Sequence, residues 1–500
     1  IYNAFISGRF WMNMIFVGYY DAGFRVPDDV CMLVCDDNWG NIRRVPNETE
    51  RKHKGGWGIY YHVDYVGAPR NTKWINVTQT QQMFEQLSLA YDFGIRRMWI
   101  LNVGDIKPME YPIQLFLDMA WNPKAYSMAN ITGHTTQFFT EAFGEYGKEA
   151  AYIYNLNSKY MGRVTPEMLD AQTYNISTGE WKQVCDDYLH LELRATRLFE
   201  RLPEPMHDAY RQLLLFPVSV MANLYEMYYA QAMNHELAGR RLAEANKWAD
   251  KVRQCFTRDS MLCRYYNKEM SNGKWNGMMT QKHIGYTSWN DNFPADTQPM
   301  TTRIESDAKE HRSGGYIFSF NKKDNPQDYR YISIEAEHFY QATAPSGTSW
   351  EVYPDYGRTL SGVALTPYTS PVGDASLTYR FDLPEDIREV KVHVIVKSTL
   401  DFLNVGGFEY DVALDNGSPV TVNFNKTLVD RQPYMYSEFY PTVARRVVEN
   451  TVGLPVGKEK THLLKISPRH PGIVFEKIVI DFGGYQDSHL FGNESFFTRE

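Results

Sequence analysis

The stretch from Cys31 to Pro46, CMLVCDDNWGNIRRVP, decides how this chain is read. Its first five residues carry no charge, which suits a short strand covered on both faces, as the strands of parallel sheets are. The run then stops at Asp36, Asp37, Asn38 and Trp39. Polar groups at the C-terminal end of such a strand stand where barrel and open α/β enzymes hold their chemistry. Two later stretches have the same form, GIYYHVDY over residues 58–65 and MWILNVGD over residues 98–105. Three strands are therefore expected to present functional groups at one end. Between the second and third, QTQQMFEQLSLAYDF (79–93) puts Met83, Leu87, Ala90 and Tyr91 on one helical face. Gly94 follows it, so the segment reads as a crossover helix with a glycine stop.

A chain of 500 residues is long enough for about two to four domains with a sizeable core. The net charge of −8 and a pI near 6.0 argue against a nucleic-acid partner, which would require a basic face to track phosphates. Cys31, Cys35, Cys185, Cys255 and Cys263 are odd in number and lack C-x-x-C spacing, so neither a disulfide framework nor a zinc site is signalled. No G-x-G-x-x-G or P-loop spacing occurs, and no cofactor is expected. The N-terminal apolar run from Phe10 to Tyr20 is broken by Asn13 and is too short to cross a bilayer, so no membrane partner is expected. It also lacks the basic region and small-residue cleavage site of a signal peptide. An aromatic content of 15% offers stacking faces for sugars, and equally serves ordinary core packing.

The expected fold class is multidomain, with an α/β part, an all-α part and an all-β part. Residues 1–135 alternate strands and helices and read as the C-terminal part of a TIM-like (β/α)8 barrel, since three strands cannot close eight. Residues 136–290 read as a helical bundle, with Trp181, Val184, Cys185, Tyr188 and Leu189 at helical spacing, then Leu242, Ala245, Trp248, Ala249, Val252 and Phe256. Pro217 is expected to kink or divide the apolar helix LLLFPVSVMANLYEMYY. Residues 291–328 turn polar and read as a linker or excursion. Residues 329–500 read as a β-sandwich resembling a carbohydrate-binding module. Leu377, Tyr379, Phe381 and Leu383 alternate, as do Val390, Val392, Val394 and Val396, and Asp415-Asn416-Gly417-Ser418 makes a hairpin turn suited to positive φ.

Several strand-end residues are candidates for chemistry. Asp36 and Asp37 serve equally as an acid/base pair, as metal ligands, or as a turn capping the strand. His62 and Asp64 share a strand face if the strand continues, with Tyr65 opposite; a metal would need further ligands, and none is proposed. Asn102 can pair with vicinal hydroxyls and Lys107 can hold a carboxylate, or Asp105 and Lys107 form a loop ion pair. Glycoside hydrolysis would need two carboxylates across a sugar ring, and spacing alone does not select them from Asp36, Asp37, Asp64 and Asp105.

FRVPDDV (24–30), CDDNWGNIRRVP (35–46), GGWGIYYHVDYVGAPRNTKWIN (55–76), NVGDIKPMEYP (102–112) and FLDMAWNP (116–123) resemble the α-glucuronidases of glycoside hydrolase family 115. GRVTPEMLD (162–170) and PGIVFEKIVIDFGG (471–484) extend the resemblance to the end of the chain. It implies an inverting, bacterial, periplasmic or extracellular enzyme that removes α-1,2-linked (4-O-methyl)glucuronic acid from glucuronoxylan, with a xylan or glucuronoxylo-oligosaccharide as partner and a homodimer through its C-terminal domain. The family's substrate contacts map onto Asn38, Tyr65 and Asn102, with His62 and Asp37 beside them; Lys107 is a further binding candidate, and Asp37 and Asp36 are the carboxylates left for catalysis. The glutamate that resembles a catalytic acid in the family is replaced by Ile15, and residues 1–17 depart from the pattern. The chain therefore reads as the C-terminal portion of such an enzyme without its key carboxylates. The alternative is a non-catalytic carbohydrate-binding protein that uses the β-sandwich.

Overall fold

Three short strands form a parallel sheet in the order β1-β2-β3: β1 is Met32–Cys35, β2 is Trp57–His62 and β3 is Ile95–Asn102. The computed structural model describes residues 15–290, 295–304, 330–384, 386–495 and 497, with side chains from residue 18 onward. The expectation about residues 1–17 therefore lies outside the described residues, apart from the backbone of a helix over Ile15–Asp21. All four residues of β1 are buried, which is what its uncharged run requires. The helix Thr80–Asp92 joins β2 to β3 and ends before Gly94, whose φ of +95° favours glycine.

The strands differ in extent from the sequence reading. β2 stops at His62, and Asp64 and Tyr65 belong to the following loop, where Tyr65 bridges to Thr72. β3 begins earlier, at Ile95, and ends at Asn102, leaving Gly104 and Asp105 in a loop. Gly104 sits at φ +58°, with Asp64 where its Cβ would be, so the chain turns where an extended strand was expected.

Gly58 sets how closely β2 and β3 approach. A Cβ there would lie 2.5 Å from the Met98 carbonyl oxygen and 2.9 Å from Leu33 Cδ1. Gly58→Ala is expected to lower the unfolding free energy by roughly 2 kcal/mol through overpacking, read by urea denaturation. Unchanged stability would mean that the two strands can part freely.

The helical part contains Thr132–Phe143, Gly147–Met161, Glu180–Phe199, Phe216–Gly239 and Ala245–Lys268. Trp181, Val184 and Tyr188 of Glu180–Phe199 are fully buried against Val220, Leu224 and Tyr225 of Phe216–Gly239. Pro217 does not divide the apolar segment. It lies in the first turn of Phe216–Gly239, directly after a π-helical turn over Arg211–Leu215, which absorbs the missing N–H. Of the polar stretch 291–328, the described part, 295–304, is tied down. Asn234 exchanges hydrogen bonds with the Thr302 backbone, and Asn246 with that of Ile304.

The C-terminal part is two antiparallel sheets face to face, with strand orders β11-β10-β13-β8-β5 and β12-β9-β14-β7-β6; β4 (Tyr331–Glu335) also pairs with β14. The strands run from β5 (Gln341–Thr343), β6 (Ser349–Tyr353), β7 (Gly362–Thr366), β8 (Ser376–Asp382) and β9 (Glu389–Lys397) to β10 (Glu409–Leu414) and β11 (Val420–Asn423), then β12 (Val447–Pro455), β13 (Thr461–Pro468) and β14 (Val474–Asp481). The alternating valines of β9 face the core, and Asp415 turns the β10–β11 hairpin at φ +52°. This part does not stand apart. Val45 N–H donates to the Phe402 carbonyl, Gln79 Nε2 to those of Asp355 and Tyr356, and one apolar cluster runs through both regions.

Candidate active site

The end of β1 divides the labour between two adjacent carboxylates. Asp37 is consumed by a turn: its Oδ1 accepts the N–H groups of Trp39 at 2.9 Å and Asn41 at 3.0 Å, and its Oδ2 accepts Asn41 Nδ2 at 2.8 Å. Asp36, fully buried, accepts Gly40 N–H with Oδ2 and meets His62 Nδ1 with Oδ1 at 2.5 Å. That contact uses one ring nitrogen and leaves Nε2 for a ligand. Burial, with Asp36 adjacent, pushes the Asp37 carboxyl up to about 6.

The turn closes with Asn38 at φ +72°, a conformation asparagine tolerates, and this carries Asn38 and Trp39 to its tip. Trp39 meets Tyr65 edge to face at 5.2 Å, and Tyr65 meets the His62 ring at 6.1 Å. The Asn38 side chain hydrogen-bonds the Tyr65 hydroxyl. Asn102 lies opposite His62 in the β2–β3 register. Asp36, Asn38, His62, Tyr65 and Asn102 are thus gathered at one end of the sheet.

Lys107 points elsewhere. Its Nζ donates to Glu110 Oε1 at 2.6 Å and Gln212 Oε1 at 3.1 Å, above the Trp275 ring. Asp64 is held by Lys73 at 3.3 Å, and Asp105 is exposed.

Residues nearly four hundred positions away complete the site. Arg43 donates through Nε to the Asp36 carbonyl and through Nη2 to Asp430 at 2.6 Å, tying the β1 turn to the sandwich. Trp39 packs on a cluster of Leu400, Leu428, Phe439 and Val443. A narrow cavity between these elements, lined by Asn38, Trp39, Tyr61, His62, Thr72 and Arg446, has room for about two waters. Asp430 and Arg446 have no local sequence signal that links them to β1.

Among the described residues, one group has metal-ligand chemistry: Asp259, Cys263 and His283. His283 spends both ring nitrogens, on Asp259 Oδ2 at 3.0 Å and the Gln281 carbonyl at 2.9 Å, and stacks on Trp74. Burial also raises the Cys263 thiol, which disfavours the thiolate. The arrangement is that of a buried ion pair.

The parallel sheet, with a carboxylate–imidazole pair and amide and aromatic groups at its C-terminal end, is followed in this chain by a β-sandwich. Glycosyl hydrolase family 115 matches residues 12–168, and the family 115 C-terminal domain matches residues 326–494. The chain belongs to glycoside hydrolase family 115. A solved structure described as a family GH115 4-O-methyl-α-glucuronidase, BtGH115A, with specificity for decorated arabinogalactans, is 23% identical and superposes with a TM-score of 0.72. The match covers 94% of this chain and 56% of that one, so this chain spans little more than half the length of the relative whose fold it shares. The CBM6 of LamC from Zobellia galactanivorans is 14% identical over 30% of this chain and 98% of its own, with a TM-score of 0.21. A CBM6 from Cellvibrio mixtus lichenase 5A is 17% identical over 30% and 97%, with a TM-score of 0.20. Scores this low carry no functional inference. No curated protein matches significantly.

Proposed function

We propose that this chain forms one wall of the sugar site of an inverting α-glucuronidase that removes α-1,2-linked (4-O-methyl)glucuronic acid from glucuronoxylan. The supporting observation is the Asp36–His62 pair at 2.5 Å, flanked by Asn38 and Tyr65 at the common end of three parallel strands in a family 115 chain. In this reading the sheet is part of a (β/α) barrel. Asp36 positions His62, whose Nε2 meets a sugar hydroxyl, and Asn38 and Asn102 pair with others. Trp39 and Tyr65 offer the stacking faces. Ile15 occupies the place where the family resemblance puts a glutamate, so binding outlasts hydrolysis in this chain. The same reading makes the protein an exported bacterial enzyme and a homodimer through its C-terminal part, to be checked by cell fractionation and sedimentation.

Calorimetric titration with 4-O-methylglucuronic acid tests the site. His62→Ala and Asn38→Ala are each expected to weaken binding about tenfold, or ~1.4 kcal/mol, and Lys107→Ala to leave it unchanged. No free uronic acid is expected from glucuronoxylan, or from the decorated arabinogalactans named for the structural relative. Brisk release would overturn the missing-acid reading. Xylan binding that survives both substitutions would move recognition to the β-sandwich.

A further inference from the structure

Arg446 follows the short helix Tyr440–Arg445 in the left-handed conformation, at φ +57° and ψ 16°. A non-glycine residue there is strained, and such strain collects where a side chain must be aimed. Its backbone is pinned on both sides: the N–H donates to the Thr442 carbonyl, and its carbonyl accepts Ser398 N–H. Arg446 lines the cavity with Asn38, Trp39 and His62, yet its guanidinium donates no hydrogen bond to, and forms no ion pair with, any described residue.

Other buried arginines each have a direct partner. Arg43 holds Asp430 at 2.6 Å, Arg163 holds Asp187 at 2.7 Å, and Arg358 is gripped by the carbonyls of His489 and Arg445. The carboxyl groups of Glu167 and Asp37 and the neutral hydroxyls of Tyr61 and Tyr356 lie around Arg446, and neither carboxyl forms an ion pair with it. Burial pulls its guanidinium down to about 10, so it remains charged at neutral pH. A half-buried cation without a direct partner is free to take an anion, and the planar fork of a guanidinium matches a carboxylate with two parallel hydrogen bonds. The cavity has room for about two waters, the size of one carboxylate group.

We propose that Arg446 is the carboxylate-binding residue of the site and makes it selective for a uronic acid over a neutral sugar. This rests on the glucuronidase reading, and supplies the cation that Lys107, engaged by Glu110, does not. The rival is a purely structural Arg446 whose waters bridge to Glu167, both of whose carboxylate oxygens are buried without a hydrogen-bond partner.

Calorimetry on the full chain with sodium glucuronate, neutral glucuronamide and sodium acetate separates these. The parent is expected to bind glucuronate at least tenfold tighter than glucuronamide. Arg446→Met, which keeps the length and removes the charge, should bind the two equally, and Arg446→Lys should retain a few-fold preference. A tenfold preference that persists in Arg446→Met overturns the proposal and leaves the glucuronidase reading standing. Arg446-dependent acetate binding without glucuronate binding keeps the anion site and overturns that reading; no binding of any probe overturns both. If circular dichroism shows Arg446→Met unfolded, Arg446→Lys decides: a preference cut about fivefold supports the proposal, and an unchanged one overturns it.

Discussion

Asp37→Ala is expected to lower the unfolding free energy of this chain by roughly 4 kcal/mol, measured by urea denaturation. The carboxylate accepts two backbone N–H groups and the Asn41 amide inside the turn, and removing it strands all three donors. Asp37→Asn keeps an acceptor for the two backbone groups and sets one amide against another at Asn41, so about half the loss is expected. The pair of variants also decides the role of this residue. Were Asp37 a general acid, Asp37→Asn would fold nearly as the parent does and lose any hydrolysis. A turn residue gives a stability series that follows the number of hydrogen bonds kept, with sugar affinity within twofold of the parent in the folded Asn variant.

Thermal stability is expected to fall as pH rises from about 5 to 8, and Glu85→Gln is expected to remove much of that fall. Burial pushes the carboxyls of Glu85 and Glu167 up to about 7 from an ordinary 4.5. In each case the folded value lies above the unfolded one, so the folded state binds more protons in that window. Stability is fully present below the unfolded value and drains away as pH climbs through the folded one. Shifts of this size correspond to something on the order of 3 kcal/mol per group. Glu85 sits on the buried face of the helix Thr80–Asp92, hydrogen-bonded to Gln86 and Tyr368, where the α/β part meets the sandwich. Glutamine keeps those contacts without a charge. His489, held neutral by burial and by Arg358, works in the opposite direction, so the test is the difference in slope between Glu85→Gln and the parent. Identical slopes from pH 5 to 8 would show that Glu85 ionises as freely folded as unfolded.

Much of the frame was legible in the residues. The uncharged run of β1 suited a covered strand, the spacing of Met83, Leu87 and Ala90 pointed to a helix with one buried face, and the valines of β9 pointed to a half-buried strand. The cluster Asp36 to Trp39 was visible as a polar strand end. Which of its carboxylates turns toward the sheet end was not, because neighbouring residues differ only in the direction that the turn gives them. Lys107 looked free to hold a carboxylate until the structure paired it with Glu110, three residues on, and with Gln212 of the helical part.

The sequence by itself determined the element types, the placement of polar groups at the ends of β1 to β3 and the family, because periodicity, turn residues and ordered motifs are local properties. Only the tertiary structure decided that Asp36 pairs with His62 while Asp37 builds the turn, that Asp430 grips Arg43, and that Arg446 enters the cavity from the far end of the chain. The Asp36–His62 and Arg43–Asp430 contacts join residues 26 and 387 positions apart, and packing of whole elements, which leaves no mark on the residues nearby, brings them together.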